Sequence, residues 1–367
     1  MGKRNILAIN PGSTSTKIAV FKSNDLIFTT NIKHPSEEID KFDRISDQYE
    51  YRKNIIVKEL EKAGIALSSI EIIIGRGGLV KPIPSGVYGV NEAMKADLRV
   101  GVLGQHASNL GGLIADDLAK MIPGAKAYIA DPVVVDELED VARISGHPEF
   151  ERISIFHALN QKAIGRMHAQ AIGKKYEDLN LIVVHLGGGI SVGAHRKGRV
   201  IDVNQALDGE GPFSPERSGT LPAGALVKLC FSGKYTQKEI LKMITGKGGY
   251  VAYLGTNSAY EVEQRVTAGD EKAIFIQKAM AYQIAKEIGA MSVVLESEVD
   301  SIVITGGMAY DKNFVGLIKE KVNKISSVDV YPGEDEMRAL ALNGLMLLNG
   351  EIIPAEYKQT NTYCEAC

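Results

Sequence analysis

Short apolar runs alternate with polar turns along the chain, a pattern that predicts a mixed α/β fold. Two apolar runs near the start, 6–9 and 18–21, have the length of buried strands. The segment between them, 10–17, reads Asn-Pro-Gly-Ser-Thr-Ser-Thr-Lys. A turn of this composition offers backbone N–H groups, hydroxyls and a cation, which together can hold phosphate. An ordinary hairpin turn has the same residue types, so this segment alone leaves both readings open.

Longer stretches carry apolar residues at three- and four-residue spacing and predict helices. One helix is expected over 36–64, closed by Gly64, and the longest over about 270–296. A last helix is expected over 335–348. Segment 82–88 contains two prolines and predicts a rigid loop without regular structure.

The strand–turn–strand pattern of the N-terminus occurs a second time. Residues 181–186 form the most continuous strand signal, and a glycine turn at 187–189 leads into further strands. Gly12 and Gly188 are 188 − 12 = 176 residues apart in a chain of 367. A repeat of half the chain length predicts two domains of one architecture that face a shared cleft, each with a phosphate-binding hairpin. It favours the nucleotide reading of both turns.

Several single residues lie where a strand ends or a helix begins. Arg76 follows a strand and stands among glycines, a setting that can place a guanidinium at a sheet edge. Asp131 ends a strand but is also a common turn residue, and His157 could be a core histidine. Gly306-Gly307 allows backbone to lie against a flat ligand. Glu336 begins the last helix, where an acid also suits the helix dipole.

Composition limits the classes of function. With 45% hydrophobic residues, 24% charged residues and a net charge of −3, we expect a globular protein without nucleic-acid or membrane partners. No apolar run reaches transmembrane length and no signal peptide is apparent, so we expect a cytoplasmic location. Cys230, Cys364 and Cys367 are too few for a disulfide framework. The last two predict a frayed tail with reduced thiols, because a structural zinc site needs four ligands.

Residues 6–17 resemble the first signature of the acetokinase family, and the His-x-Gly-x-Gly-x-Ser segment at 185–191 resembles the second. Further landmarks agree in order over nearly the whole chain: Arg76, Gln105-His106, Asp131, His157, Arg217-Ser218-Gly219, Gly306-Gly307 and Glu336. The resemblance implies two duplicated ribonuclease-H-like α/β domains of the actin, sugar-kinase and heat-shock ATPase superfamily. In these, helices flank mixed sheets and an interdomain cleft separates the domains. Residues 1–153, joined by a C-terminal helix at about 336–355, would bind the acyl substrate, and 154–335 the nucleotide.

The resemblance implies reversible phosphorylation of a short-chain carboxylic acid by ATP, giving an acyl phosphate and ADP, with Mg²⁺ present. Pro11 and Gly188, where acetate kinases carry Ala and Asn, favour butyrate as the acid. Branched-chain or broad short-chain acids are the alternative. A non-enzymatic nucleotide-dependent binding protein of the same superfamily is more remote, because no surplus chain exists for a peptide-binding domain. The resemblance also implies a homodimer or higher homo-oligomer through the C-terminal domain.

The resemblance further assigns roles to individual residues. Arg76 would hold the acid, Arg217 and His157 the transferring phosphoryl group, and Asp131 would position the metal shell or the substrate. Mg²⁺ would be held by Asn10 and Glu336, directly or through water. The residues expected to contact ATP are Asn10, Gly12, Ser13, Ser15, Lys17, His185, Gly187, Gly188 and Gly189 at the phosphates and Gly306 and Gly307 at the adenosine. The family's nucleoside-contacting segment aligns with 258–261, where its Asp and Arg are absent, so no residue is assigned there.

Overall fold

A computed structural model describes residues 5–358, so the predicted tail with Cys364 and Cys367 lies outside the described residues. Contacts divide the chain into two compact units. Of the described residues, the first unit takes 5–135 and 335–358, and the second takes 136–334. The predicted boundary after 153 differs from this division. Residues 136–153 group with the second unit because Glu139 donates its N–H to Ile201 O at 3.0 Å and Arg152 pairs with Asp202 at 3.0 Å.

Each unit combines strands and helices. In the first unit the elements are β1 (Asn5–Pro11), β2 (Ser15–Lys22), β3 (Asp25–Lys33), α1 (Ser36–Ile39), α2 (Tyr49–Lys62), β4 (Ile70–Arg76), β5 (Val87–Gly89), α3 (Glu92–Val100), α4 (Asn109–Lys120), β6 (Lys126–Ala130), α13 (Glu336–Leu348) and β12 (Ala355–Glu356). In the second they are α5 (Asp140–Arg143), α6 (Ala158–Ala171), β7 (Asn180–Leu186), β8 (Ile190–Arg196), β9 (Arg199–Val203), α7 (Ala223–Cys230), α8 (Gln237–Ile244), α9 (Gly249–Leu254), α10 (Ala259–Thr267), α11 (Glu271–Val294), β10 (Ser301–Gly306), α12 (Lys312–Val322) and β11 (Val328–Pro332). Short 3-10 turns lie at Ile45–Gln48, Leu67–Ser69, Tyr176–Asp178 and Gly307–Tyr310.

Five strands of the first sheet have the same topology as the five strands of the second. The sheet of the first unit has the strand order β12-β5-β6-β4-β1-β2-β3, and that of the second has β11-β10-β7-β8-β9. In each unit three consecutive strands form an antiparallel meander, β1-β2-β3 or β7-β8-β9. A later strand then pairs in parallel with the first strand of the meander, β4 with β1 or β10 with β7. The predicted duplication and the predicted α/β fold class are confirmed.

Close backbone contacts fix the helices on the first sheet. A Cβ at Gly75 in β4 would collide with the backbone of Gly111 in α4, so glycine at both positions lets helix and strand approach. In the second unit, α11 buries Met280, Ile284 and Ile288 completely in the core, as its periodicity predicts. These packed layers hold the ends of β1, β4, β7 and β10 in place.

Two predicted elements are wrong in detail. The helix expected over 36–64 is interrupted after Ile39. Residues 40–44 form turns and bends, and a 3-10 turn then leads into α2. Segment 82–88 is not entirely loop, since Val87–Gly89 pairs with both β6 and β12. Within residues 5–358, no helix has the length and apolar character needed to cross a membrane.

Candidate active site

Asn10, Arg76 and Glu336 come together in the first unit. Asn10 and Arg76 both lie one residue beyond a parallel pair, Ile9 with Gly75, so they share the carboxyl edge of the sheet. Glu336 is the first residue of α13, which packs on β1 and β4. Arg76 Nη1 lies 3.0 Å from Glu336 Oε1 and 3.4 Å from Asn10 Oδ1, and Asn10 Nδ2 donates to Glu336 Oε2. The structure thus joins three predicted site residues that are far apart in sequence.

The predicted phosphate turn connects β1 to β2. Gly12 N–H donates to Ser15 O at 2.7 Å and closes the turn, while the Ser13 residue is exposed. Lys17 is exposed on β2 and stands directly opposite Asn10 in the strand register. Opposed residues of an antiparallel pair point to the same face, so Lys17 and Asn10 lie on one side of this hairpin.

Asp131 follows β6 at the same sheet edge. Its neighbour Ala130 pairs with Arg76, so Asp131 comes one residue beyond that pair. The side chain is buried and its Oδ1 accepts hydrogen bonds from Ser85 Oγ at 2.7 Å and Gly86 N at 2.9 Å. Its backbone has φ of 36°, a conformation that is costly for a residue other than glycine. The carboxylate therefore holds the proline-containing loop beside Arg76.

Two histidines stack beside the glycine turn of the second unit. The rings of His157 and His185 are 4.0 Å apart and nearly parallel. The Nδ1 atom of His157 lies 2.8 Å from Ser191 Oγ, and His185 Nε2 lies 3.3 Å from Glu334 Oε2. These contacts orient both rings, and His157 is not a core residue because it stays partly exposed.

Arg217 packs against the same turn. A Cβ at Gly189 would collide with the Arg217 guanidinium and would lie 3.3 Å from His157 Cε1, so a side chain there would displace the guanidinium. Arg217 Nη1 donates to Ala206 O at 2.6 Å, whereas its buried Nε has no hydrogen-bond partner in the described part of the chain. Burial lowers the pKa of Arg217, and the neighbouring Glu216 opposes this effect. Gly187 donates its N–H to Gly189 O at 3.1 Å, and Gly188 is exposed.

A cavity of about 320 Å³ lies beside Gly307 in the second unit. Gly306 precedes it in a left-handed conformation with φ of 98°, and a Cβ there would collide with Leu186. The cavity is lined mainly by apolar and aromatic side chains, including those of Tyr250, Ala259, Tyr260, Met308 and Phe314. Ala259 and Tyr260 belong to the segment 258–261 to which the sequence assigned no contacts.

The buried Arg52 is a site feature that sequence reasoning missed. Its side chain is 1% exposed and donates to carbonyl oxygens of the turn that contains Gly12 and Ser13. Arginine is almost never fully buried unless it is paired, so the residue type gives no signal for the burial of Arg52. Its position four residues before Ile56, which is itself four residues before the buried Leu60, is the one cue that the sequence contains.

Asn10 and Glu336 offer Mg²⁺ suitable oxygen ligands, but only two of them. Within residues 5–358, no three His, Cys, Asp or Glu side chains form a group that could hold a metal ion. Asn10 Oδ1 and the Glu336 carboxylate are nevertheless oxygen donors on one edge, both in contact with Arg76. Mg²⁺ prefers oxygen ligands and usually keeps several waters, so two protein ligands are compatible with it when phosphate oxygens supply others.

Comparisons with known proteins agree with these features. The model of the acetokinase family matches residues 152–340. Butyrate kinase 2 of Clostridium acetobutylicum is 54% identical over 356 residues, which cover 97% of this chain and 100% of that protein. Butyrate kinase 1 of the same organism is 56% identical, with coverage of 96% and 99%. The crystal structure of Porphyromonas gingivalis acetate kinase matches with a TM-score of 0.75 at 19% identity, covering 94% of this chain and 99% of that one.

Proposed function

Because the chain belongs to the acetokinase family, we propose that it phosphorylates butyrate with ATP, giving butyryl phosphate and ADP, in a reversible reaction. The observation that carries this proposal is the identity of 54% and 56% to two butyrate kinases over nearly their whole length. A carboxylate oxygen of butyrate attacks the γ-phosphorus, and the bond to the β,γ-bridging oxygen breaks with its electron pair leaving on ADP. No general base is required, since the acid is already ionised at neutral pH.

The first unit supplies the groups for the acid in this proposal. Arg76 offers a planar guanidinium that can grip a carboxylate with two parallel hydrogen bonds. Its ion pair with Glu336 and its contact with Asn10 hold it at the sheet edge. Asp131 positions the Ser85–Gly86 backbone through two hydrogen bonds and so shapes the loop beside the acid. Asn10 and Glu336 would hold Mg²⁺, which neutralises phosphate charge when bound.

The second unit supplies the groups for the nucleotide. Arg217 and His157 lie together at Gly189 and are proposed to stabilise the charge on the transferring phosphoryl oxygens. His185 and the glycines at 187–189 are proposed to hold phosphates. The cavity beside Gly307 suits an adenosine, because it joins exposed glycine backbone to aromatic walls.

We further propose that the protein assembles as a homo-oligomer through α7. This helix contains Leu226, Val227 and Leu229, yet none of its residues is buried. Phe231, just beyond it, is 87% exposed. A strongly apolar helix without a buried face suits contact with a second copy of the chain. The cytoplasmic location stays a prediction.

A hydroxamate assay tests the proposed activity. ATP and Mg²⁺ are supplied with acetate, propionate, butyrate or isobutyrate in turn, and acyl phosphate is trapped with hydroxylamine. We expect butyrate to give the highest kcat/KM. One methylene in an apolar pocket contributes about 1–3 kcal/mol, so propionate should be roughly tenfold or more poorer. A preference for acetate would contradict the butyrate assignment, and the absence of any acyl phosphate would contradict the kinase proposal.

A further inference from the structure

The Arg52 side chain runs beneath the turn between β1 and β2 and is 1% exposed. Its Nη1 atom donates to Gly12 O at 2.7 Å and to Ser15 O at 3.2 Å, and its Nη2 atom donates to Ser13 O at 3.0 Å. The remaining hydrogen bonds go to the side chains of Thr16 and Gln48. One guanidinium therefore contacts most of the backbone of the turn.

Every carbonyl oxygen of the turn is occupied from within the protein. Thr14 O accepts from His34 N at 2.8 Å, Ser15 O accepts also from Gly12 N, and Arg52 binds the other two. By contrast, the N–H groups of Ser13 and Thr14 make no hydrogen bond within residues 5–358. With its carbonyls turned inward, the turn presents free donors and hydroxyls to a ligand, which is how a backbone binds an anion.

The charge of Arg52 is not balanced by a carboxylate in the described part of the chain. Its five partners are three carbonyls, one hydroxyl and one amide oxygen. Burial lowers the pKa of Arg52 to about 10, so it remains protonated at neutral pH. Burying an unpaired charge is expensive, and a neutral side chain could tie a turn together without that cost. An anion bound at the free donors of the turn would supply the missing countercharge.

We propose that Arg52 is a positioning residue for ATP: it fixes the Gly12–Ser15 turn with its N–H groups outward and places a buried positive charge behind the bound phosphates. The proposal rests on the proposed function and on the predicted role of this turn in binding nucleotide phosphates. Arg52 does not touch the substrate, and it acts through the backbone that does.

Titration of the intact protein with ATP and Mg²⁺, in the absence of any carboxylic acid, tests the role of Arg52. Arg52→Met removes both the charge and the hydrogen-bond donors, whereas Arg52→Lys keeps the charge but loses the planar, branched set of guanidinium N–H donors. Ile56→Ala is the matched control, because Ile56 is fully buried one turn further along the same helix and its side chain has no hydrogen-bonding group. Melting temperatures and the KM for butyrate are measured for each variant.

We expect Arg52→Met to weaken ATP binding at least about tenfold, a loss equivalent to about 1.4 kcal/mol. Arg52→Lys should lose less, and Ile56→Ala should bind ATP as the wild type does, despite its lower melting temperature. The KM for butyrate should change by less than about twofold, because a different set of groups holds the acid.

Equal losses of ATP affinity in Arg52→Met and Ile56→Ala would overturn the proposal, since the role would then be stability alone. If Arg52→Met does not fold, Arg52→Lys decides, and unchanged ATP affinity in that folded variant would overturn the proposal as well. A wild-type protein that binds ATP but forms no acyl phosphate would contradict the kinase proposal, while the ATP titration would still decide the role of Arg52.

Discussion

Replacing Arg217 by Ala should separate catalysis from stability. Arg217 lies against Gly189 next to His157, and its Nε donor has no partner in the described part of the chain. The guanidinium donates one hydrogen bond within the protein, from Nη1 to Ala206 O. The Nη2 atom makes no hydrogen bond within residues 5–358, and we expect it to donate to phosphoryl oxygens, which gain charge in the transition state.

The expected losses of turnover and of stability in Arg217→Ala can be estimated separately from these donors. Loss of one preorganised transition-state donor costs about 2.7–4 kcal/mol, or roughly 10²–10³ in turnover. The structural loss is one hydrogen bond to Ala206 O, about 1–3 kcal/mol at most. It is offset in part, because burial lowers the pKa of Arg217 and thus already disfavours the charged form in the folded state. Turnover should therefore fall roughly 10²–10³-fold, while the free energy of unfolding falls by less than about 3 kcal/mol.

The assay measures kcat, both Michaelis constants and the melting temperature. Arg152→Ala is the control, because Arg152 lies in the same unit but its guanidinium is engaged by Asp202 at 3.0 Å and Glu210 at 3.4 Å. We expect that variant to lose stability and to retain turnover, the opposite of Arg217→Ala. If Arg217→Ala kept near wild-type turnover with only a raised Michaelis constant, Arg217 would serve in ground-state binding and the reasoning would be refuted.

Three further predictions concern the two turns and the surface. Gly188→Asn should leave the melting temperature nearly unchanged, since the nearest atom to a Cβ there is Glu216 Oε1 at 4.0 Å. Gly189→Ala should lower kcat at least about tenfold by displacing the guanidinium of Arg217, and a wild-type kcat in that variant would contradict this. Phe231→Asp should reduce the oligomer to a smaller species in light scattering, and an unchanged mass would exclude α7 as the contact. Burial and the charge of Arg52 lower the pKa of His34 from 6.5 to about 4. Its contribution to stability is complete above pH 6.5 and is lost as the pH falls toward 4, so His34→Gln should flatten the fall in melting temperature across that range.

The elements that could be predicted from the sequence depend on local patterns. The repeat of apolar run, glycine turn and apolar run is visible at Gly12 and Gly188, and the sheets confirm it as one topology used twice. Asn10 and Glu336 were paired through the family resemblance, and the structure joins them across 326 residues. Asn10 and Glu336 are close because β1 ends and α13 begins at the same edge of one sheet.

The remainder depends on contacts that no local pattern encodes. The burial of Arg52 is decided by carbonyls 37 to 40 residues away, not by the helix in which it lies. Val87–Gly89 becomes a strand because β6 and the C-terminal β12 flank it, which overrides the preceding prolines. Tyr357 shows the same effect, since its buried hydroxyl donates to Asp97 at 2.6 Å, 260 residues away.

The two turns are topologically equivalent, yet each is supported by its own arginine in a different way. Arg52 binds the carbonyl oxygens of the first turn from below, and Arg217 packs against the glycine of the second from the side. Burial lowers the pKa of both, and neither forms an ion pair with a carboxylate within residues 5–358. A buried or half-buried cation without a carboxylate partner is costly unless an anion binds beside it. The same cost therefore appears in both halves of the duplicated fold, and the proposed binding of phosphate at each turn would account for it.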